Sequence, residues 1–146
     1  MRDIVPSDFA IKAELSHGRS AMLAFVGWYW PALVGTFDAD DVTTTDPIDA
    51  ILQADPQWWA QFILLGGVIE SLKYKADLDG TSSYTGEGPA FFDWSGKWAG
   101  LDEAGQKKVR LQELKNGRLA MIGVMTLLAD HFIPGSVPIL LPGMHI

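Results

Sequence analysis

The chain has 146 residues, one domain's worth, so no multidomain enzyme is expected. A net charge of -7 and a pI near 4.7 leave no surplus of Lys and Arg for a phosphate-binding surface, which excludes nucleic acid as a partner. Cysteine is absent, excluding disulfides, thiolate metal sites and a cysteine nucleophile, and 48% hydrophobic with 11% aromatic residues excludes an acidic disordered chain.

Three apolar stretches follow in chain order, 20–35, 58–72 and 119–133. Each falls short of the roughly 18 uncharged residues that announce a membrane span, and alone would suit a buried core helix. Helix-forming sequence extends them, with 10–19 leading into the first and 106–118 into the third. Spans of roughly 10–35, 57–75 and 106–133 are therefore expected, with some charged residues at membrane depth. Pro31 sits near the end of the first, where it kinks or closes the helix. The stretch 79–89 reads as a turn-rich loop, and Asp102 as an N-cap where a helical pattern restarts. No targeting sequence is recognisable ahead of Ala10; either one has been removed or the chain is not a newly made precursor.

Charge distribution separates a soluble bundle from a membrane protein. Arg2 and Lys12 precede the first apolar stretch. Lys73, Lys75, Lys97, Lys107, Lys108, Arg110 and Lys115 lie between the second and third, while 36–57 holds no basic residue and six Asp. The positive-inside rule produces this alternation in a three-span chain, and a soluble bundle would show it only by accident. The N-terminus and second loop then face the positive side, and the Asp-rich loop and C-terminus the other. Trp28, Tyr29, Trp30, Trp58 and Trp59 fall together beside the Asp-rich loop, as an interfacial belt does. The expected fold is all-α, one membrane domain over 1–146 with three transmembrane helices.

Helices one and three share a repeat. Glu14-Leu15-Ser16-His17-Gly18-Arg19-Ser20-Ala21-Met22 and Glu113-Leu114-Lys115-Asn116-Gly117-Arg118-Leu119-Ala120-Met121 agree at six of nine positions, 99 residues apart. Within one helix Glu14 and Arg19 point roughly 140° apart and cannot pair well, and neither can Glu113 and Arg118. An ionised residue at the centre of a membrane helix costs about 2.5–3.5 kcal/mol, so four unpaired ones are more than a small bundle can spare. The economical solution is an exchange between two crossing helices, Glu14 with Arg118 and Glu113 with Arg19, which a pseudo-twofold pair produces automatically. Gly18, Ala21 and Ala24 on one helix and Gly117, Ala120 and Gly123 on the other allow a close crossing. These pairs would hold the helices together, and more besides. A carboxylate shared with Arg keeps an oxygen for a hard cation such as Mg²⁺, and His17 and Asn116, each about 60° around its helix from the Glu, can also coordinate without adding charge.

The two ELxxGRxAM strings, the three spans and the Gly135-Ser136-Val137-Pro138 segment resemble the light-harvesting chlorophyll-binding antenna superfamily, most closely the chlorophyll a/c antennae of algae with secondary plastids. The resemblance implies a multi-pass thylakoid protein of the plastid, N-terminus stromal and C-terminus lumenal, whose first and third helices cross. It implies chlorophyll magnesium ligands at Glu14, His17, Glu113 and Asn116, with Arg19 and Arg118 pairing the two carboxylates. On helix two it implies Glu70 and the more variable Gln61, which stand nine residues apart on opposite sides and serve separate pigments. A helix–helix hydrogen bond is the competing role for Gln61. Late in helix three the family often has Gln where this chain has Asp130; the ligand there is left between Asp130 and His131, with neutral His131 favoured. Residues 1–9 also lack the Phe-Asp-Pro approach of relatives, by truncation or by alteration of that pigment site.

The implied function is an antenna subunit that binds chlorophyll a, chlorophyll c and carotenoids of the peridinin, diadinoxanthin or fucoxanthin type. It passes excitation to a photosystem core, I or II, beside neighbouring antenna subunits and thylakoid lipids, and is no enzyme. Two alternatives stand against it. One is a photoprotective member of the same family. The other is a di-iron oxidoreductase built on the ExxH string of Glu14 and His17, disfavoured because the second repeat has Asn116 in place of His and because Arg19 and Arg118 repel metals.

Overall fold

Aspartates begin three of the four helices of the computed structural model, which describes residues 7–36, 42–79 and 96–137. The helices are α1 (Ser7–Val34), α2 (Pro47–Gln53), α3 (Pro56–Leu78) and α4 (Glu103–Phe132), and no strand occurs among the described residues. Asp46 and Asp55 each precede a proline that opens the helix, where a missing N–H costs nothing. Asp46 Oδ1 accepts the Ile48 and Asp49 N–H groups, and Asp102 Oδ1 accepts the Gly105 N–H at 3.0 Å, the cap expected for α4. Pro31 lies inside α1 without breaking it. The helix ends one turn later, where Gly35 at φ 86° donates its N–H to the Pro31 carbonyl at 2.8 Å.

The long helices follow the three expected segments closely: α1 and α4 begin three residues earlier and stop one residue short of the expected ends at 35 and 133, and α3 begins one residue earlier and runs three residues further. The Asp-rich connection differs from expectation: it contains α2, seven residues long. Hydropathy reads 46–53 as polar loop, yet an Asp cap followed by Pro at N1 is a helix start, and Trp59 of α3 fixes the result by donating Nε1–H to the Ile51 carbonyl at 3.3 Å. The turn-rich stretch 80–89, residues 37–41, the N-terminal approach 1–6 and Pro138 of the Gly-Ser-Val-Pro segment lie outside the described residues.

α1 and α4 cross at a pair of glycines. A Cβ built on Gly18 would stand 3.0 Å from the Gly117 Cα, and one on Gly117 would stand 2.9 Å from the Gly18 Cα. Backbone meets backbone, which only residues without side chains permit. Further along, the Phe25 ring of α1 fills the space a Cβ on Gly123 would need. Crossing helices diverge away from the crossing point, and α3 does not close the opening. It is tied to α1 by a Lys12–Asp77 ion pair and to α2 by Trp59.

The described residues therefore build little core of their own. Among the described residues the buried apolar side chains are Trp28 and Leu127, and α3 buries none. Phe62, Ile63, Leu64, Leu65 and Val68 on α3 and Leu119, Ile122 and Met125 on α4 are all exposed. No helix among the described residues is long and apolar enough to cross a membrane. At 23, 28 and 30 residues the three long helices measure about 35–45 Å, so the deficit lies in apolarity and not in length.

Candidate functional site

The crossing positions the charged residues of the repeat. Arg118 Nε donates to Glu14 Oε1 at 2.6 Å, and Arg19 Nε donates to Glu113 Oε1 at 2.7 Å. These are the exchanged pairs that helical geometry demands, and they flank the Gly18–Gly117 contact symmetrically. Both use the same atoms, Nε and Oε1, so each carboxylate has Oε2 left to accept from a further group. In water such pairs would contribute little. In a low-dielectric surrounding they cancel four charges that would otherwise stand alone.

His17 lies one turn along α1 from Glu14, exposed to the outside of the crossed pair. Its Nδ1 sits 2.7 Å from the Ala13 carbonyl oxygen. A carbonyl only accepts, so Nδ1 carries the proton and Nε2 presents a lone pair outward. Asn116 takes the equivalent place on α4 and is also exposed. Each half of the crossing thus offers a half-used carboxylate and a neutral donor, and uncovered apolar side chains such as Leu23 on α1 and Leu119 and Ile122 on α4 follow along the same helices.

On α3, Gln61 and Glu70 are exposed. Lys73 Nζ donates to Glu70 Oε1 at 2.7 Å, one turn away. The sequence reading did not assign Glu70 a cationic partner, although the i,i+3 spacing to Lys73 signals one. Glu70 so repeats the pattern of Glu14 and Glu113, a carboxylate neutralised through one oxygen.

At the far end of α4, Asp130 and His131 take different roles. Asp130 is 6% exposed, and its Oδ1 accepts the Gly135 N–H at 3.1 Å across the turn that follows the helix. His131, 23% exposed, stands edge-on to Trp28 with ring centroids 5.8 Å apart, and its Nδ1 lies 3.5 Å from Asp46 Oδ2. The sequence reading missed Asp46 and Lys12. For Asp46 the Asp-Pro cap signal was available; the Lys12–Asp77 tie spans 65 residues and leaves no local trace.

The candidate ligands stand singly. Among the described residues no three His, Asp or Glu side chains gather where a metal ion could be held. That does not suit a di-iron centre, which takes several carboxylates in one cavity. It suits a flat apolar molecule carrying its own metal, which asks the protein for one axial oxygen or nitrogen and an apolar surface to lie against. The spread of uncovered apolar side chains over α1, α3 and α4 meets the second requirement.

The description Chlorophyll A-B binding protein belongs to the family model that matches residues 6–132. The chain is 33% identical to a chloroplastic chlorophyll a-b binding protein of Petunia hybrida, over 88% of this chain and 53% of the relative. It is 32% identical to the chloroplastic fucoxanthin-chlorophyll a-c binding protein D of Phaeodactylum tricornutum, over 79% of this chain and 60% of that one. A third relative, the fucoxanthin-chlorophyll a-c binding protein of Trieres chinensis, is 29% identical over 86% of this chain and 66% of its own. The chain spans between about half and two thirds of the length of these relatives. The match over most of the chain establishes membership: this protein belongs to the chlorophyll a-b binding protein family, with similarity to its chlorophyll a-c branch.

Proposed function

We propose that the protein is a light-harvesting antenna subunit of the plastid thylakoid membrane. One observation carries the reading: a glycine-to-glycine crossing flanked by two exchanged Glu–Arg pairs, each leaving a carboxylate oxygen and a neutral His17 or Asn116 donor on a helix that also leaves large apolar side chains uncovered. Glu14, His17, Glu113 and Asn116 would hold chlorophyll magnesium from the crossed pair, Gln61 and Glu70 from α3, and His131 from the end of α4. The bound pigments supply light absorption and excitation transfer. The chain fixes their spacing and angles, shields them from water and neutralises the charges beside them.

α1, α3 and α4 would cross the membrane, with the N-terminus and the basic second loop stromal and the Asp-rich connection and C-terminus lumenal. The low hydropathy of each helix fits this reading, since the ion pairs remove the cost of the charges and pigments cover the rest of the surface. Similarity to the chlorophyll a-c relatives supports chlorophyll a and c with a carotenoid of the peridinin, diadinoxanthin or fucoxanthin type. A photosystem core and neighbouring antenna subunits are the partners, and the chain as a whole forms one pigment-binding domain with no enzymatic step.

A fluorescence excitation spectrum of the gently solubilised complex, read at chlorophyll a emission, tests this. Carotenoid and accessory-chlorophyll bands should appear in excitation as strongly as in absorption. Bands that absorb without driving emission would replace the antenna role with a dissipative one, and a colourless protein would end the reading.

A further inference from the structure

At the late α4 position where the antenna resemblance implies a neutral amide, this chain carries Asp130, and the fold has already committed that side chain. Its carboxylate is buried and accepts the Gly135 N–H, shaping the turn after the helix. The adjacent His131 faces the corner between α1 and α2. There Asp46 divides its carboxylate between two tasks. Oδ1 caps α2 through the Ile48 and Asp49 N–H groups, and Oδ2 faces His131 Nδ1 at 3.5 Å. A carboxylate beside Nδ1 favours the tautomer protonated there and leaves the lone pair on Nε2. A carboxylate or carbonyl behind the ring is how metal-ligating histidines are oriented and made more basic. The Trp28 edge, 5.8 Å away between centroids, limits the ring's rotation.

We infer that Asp46 is the positioning residue of a chlorophyll site whose magnesium is held by His131 Nε2, so that the short helix α2 is fastened to a pigment through its own N-cap. This rests on the pigment-binding reading above and adds to it a residue from the loop that the ligand pattern of the three long helices does not include.

Two substitutions separate positioning from folding. Asp46→Asn keeps an oxygen that caps α2 and removes the charge facing His131. His131→Gln keeps a neutral ligand and removes the ring that Asp46 orients. The full chain is assembled with chlorophyll a and carotenoid as wild type, D46N, H131Q and the double variant. Chlorophylls per polypeptide, low-temperature absorption and the rate of pigment loss are then compared. In the His131 background D46N should shift one chlorophyll band and speed the loss of one chlorophyll by about tenfold or more. In the H131Q background D46N should change neither. His131→Ala should bind one chlorophyll fewer than wild type.

The inference is overturned if D46N acts equally in both backgrounds, which is what a purely structural cap would do. It is also overturned if D46N acts in neither, or if His131→Ala keeps the full complement. A wild-type chain that takes up no chlorophyll would instead overturn the underlying pigment-binding reading, so the two failures are distinct.

Discussion

Glu14 and Glu113 each combine two duties that mutagenesis can separate. Pairing with Arg118 and Arg19 holds α1 against α4, and in the proposed pigment site the second oxygen would hold the magnesium. Glu14→Arg or Arg118→Glu alone places like charges at the crossing and should abolish assembly of the pigmented complex. The double exchange E14R/R118E should restore the helix pair yet return a complex lacking one chlorophyll, checked by pigment-to-protein ratio. The glycines are simpler. Gly18→Val drives a side chain into the Gly117 backbone, which no rotamer change relieves, and should destabilise the complex by about 1–3 kcal/mol in thermal denaturation. Gly123→Ala should cost less, because its obstacle is the Phe25 ring and a ring can turn. These residues were legible in the sequence because the repeat places them at a constant interval of 99, and because five-residue spacing forbids pairing within one helix. The choice between Asp130 and His131 was not, since it depends on a backbone N–H five residues away that only the turn brings near.

Elements differ in how firmly they are held. α1 and α4 meet along their crossing, whereas α3 is tied to α1 by Lys12–Asp77 at one end and to α2 by the Trp59–Ile51 contact at the other. Lys12→Ala should therefore leave the α1–α4 pair intact while amide hydrogen exchange speeds up in the C-terminal turns of α3. Equal acceleration across all helices would show that α3 is held by something else. The long helices could be read from hydropathy and charge, and Asp102 from its capping position. α2 could not, because apolar patterning ranks a seven-residue amphipathic segment below its flanking aspartates, while the cap-and-proline start that makes it helical is a local feature of backbone hydrogen bonding.

On the scale of the whole molecule, the described residues bury too little of themselves to make a hydrophobic core, with Trp28 and Leu127 their buried apolar side chains. In the proposed complex the pigments would take the place of a hydrophobic core, lying against the apolar side chains that the helices leave uncovered. Extracting pigment from the solubilised complex should therefore lower its helical content, followed by far-UV circular dichroism, and adding pigment back should restore it. A chain that kept its full helicity without pigment would contradict this account. The outline of the frame was legible because charges and glycines belong to the chain. Its filling was legible only through the family resemblance, because composition and spacing do not name the molecules that complete it.

The Gly18–Gly117 crossing has a further consequence. Geometrically it is an isologous contact, the kind by which two identical subunits meet across a twofold axis, here formed inside one polypeptide. Two separate copies of one such helix would be bound to present the same donor on both sides. Joining them in a single chain lifts that restriction, and the two sides have diverged, an imidazole at His17 and an amide at Asn116, with Phe25 seated over Gly123 and no matching ring on the opposite side, where Val124 occupies the equivalent position. The symmetry that holds the frame together does not extend to the groups it displays, so two sites of common geometry can be tuned to different energies.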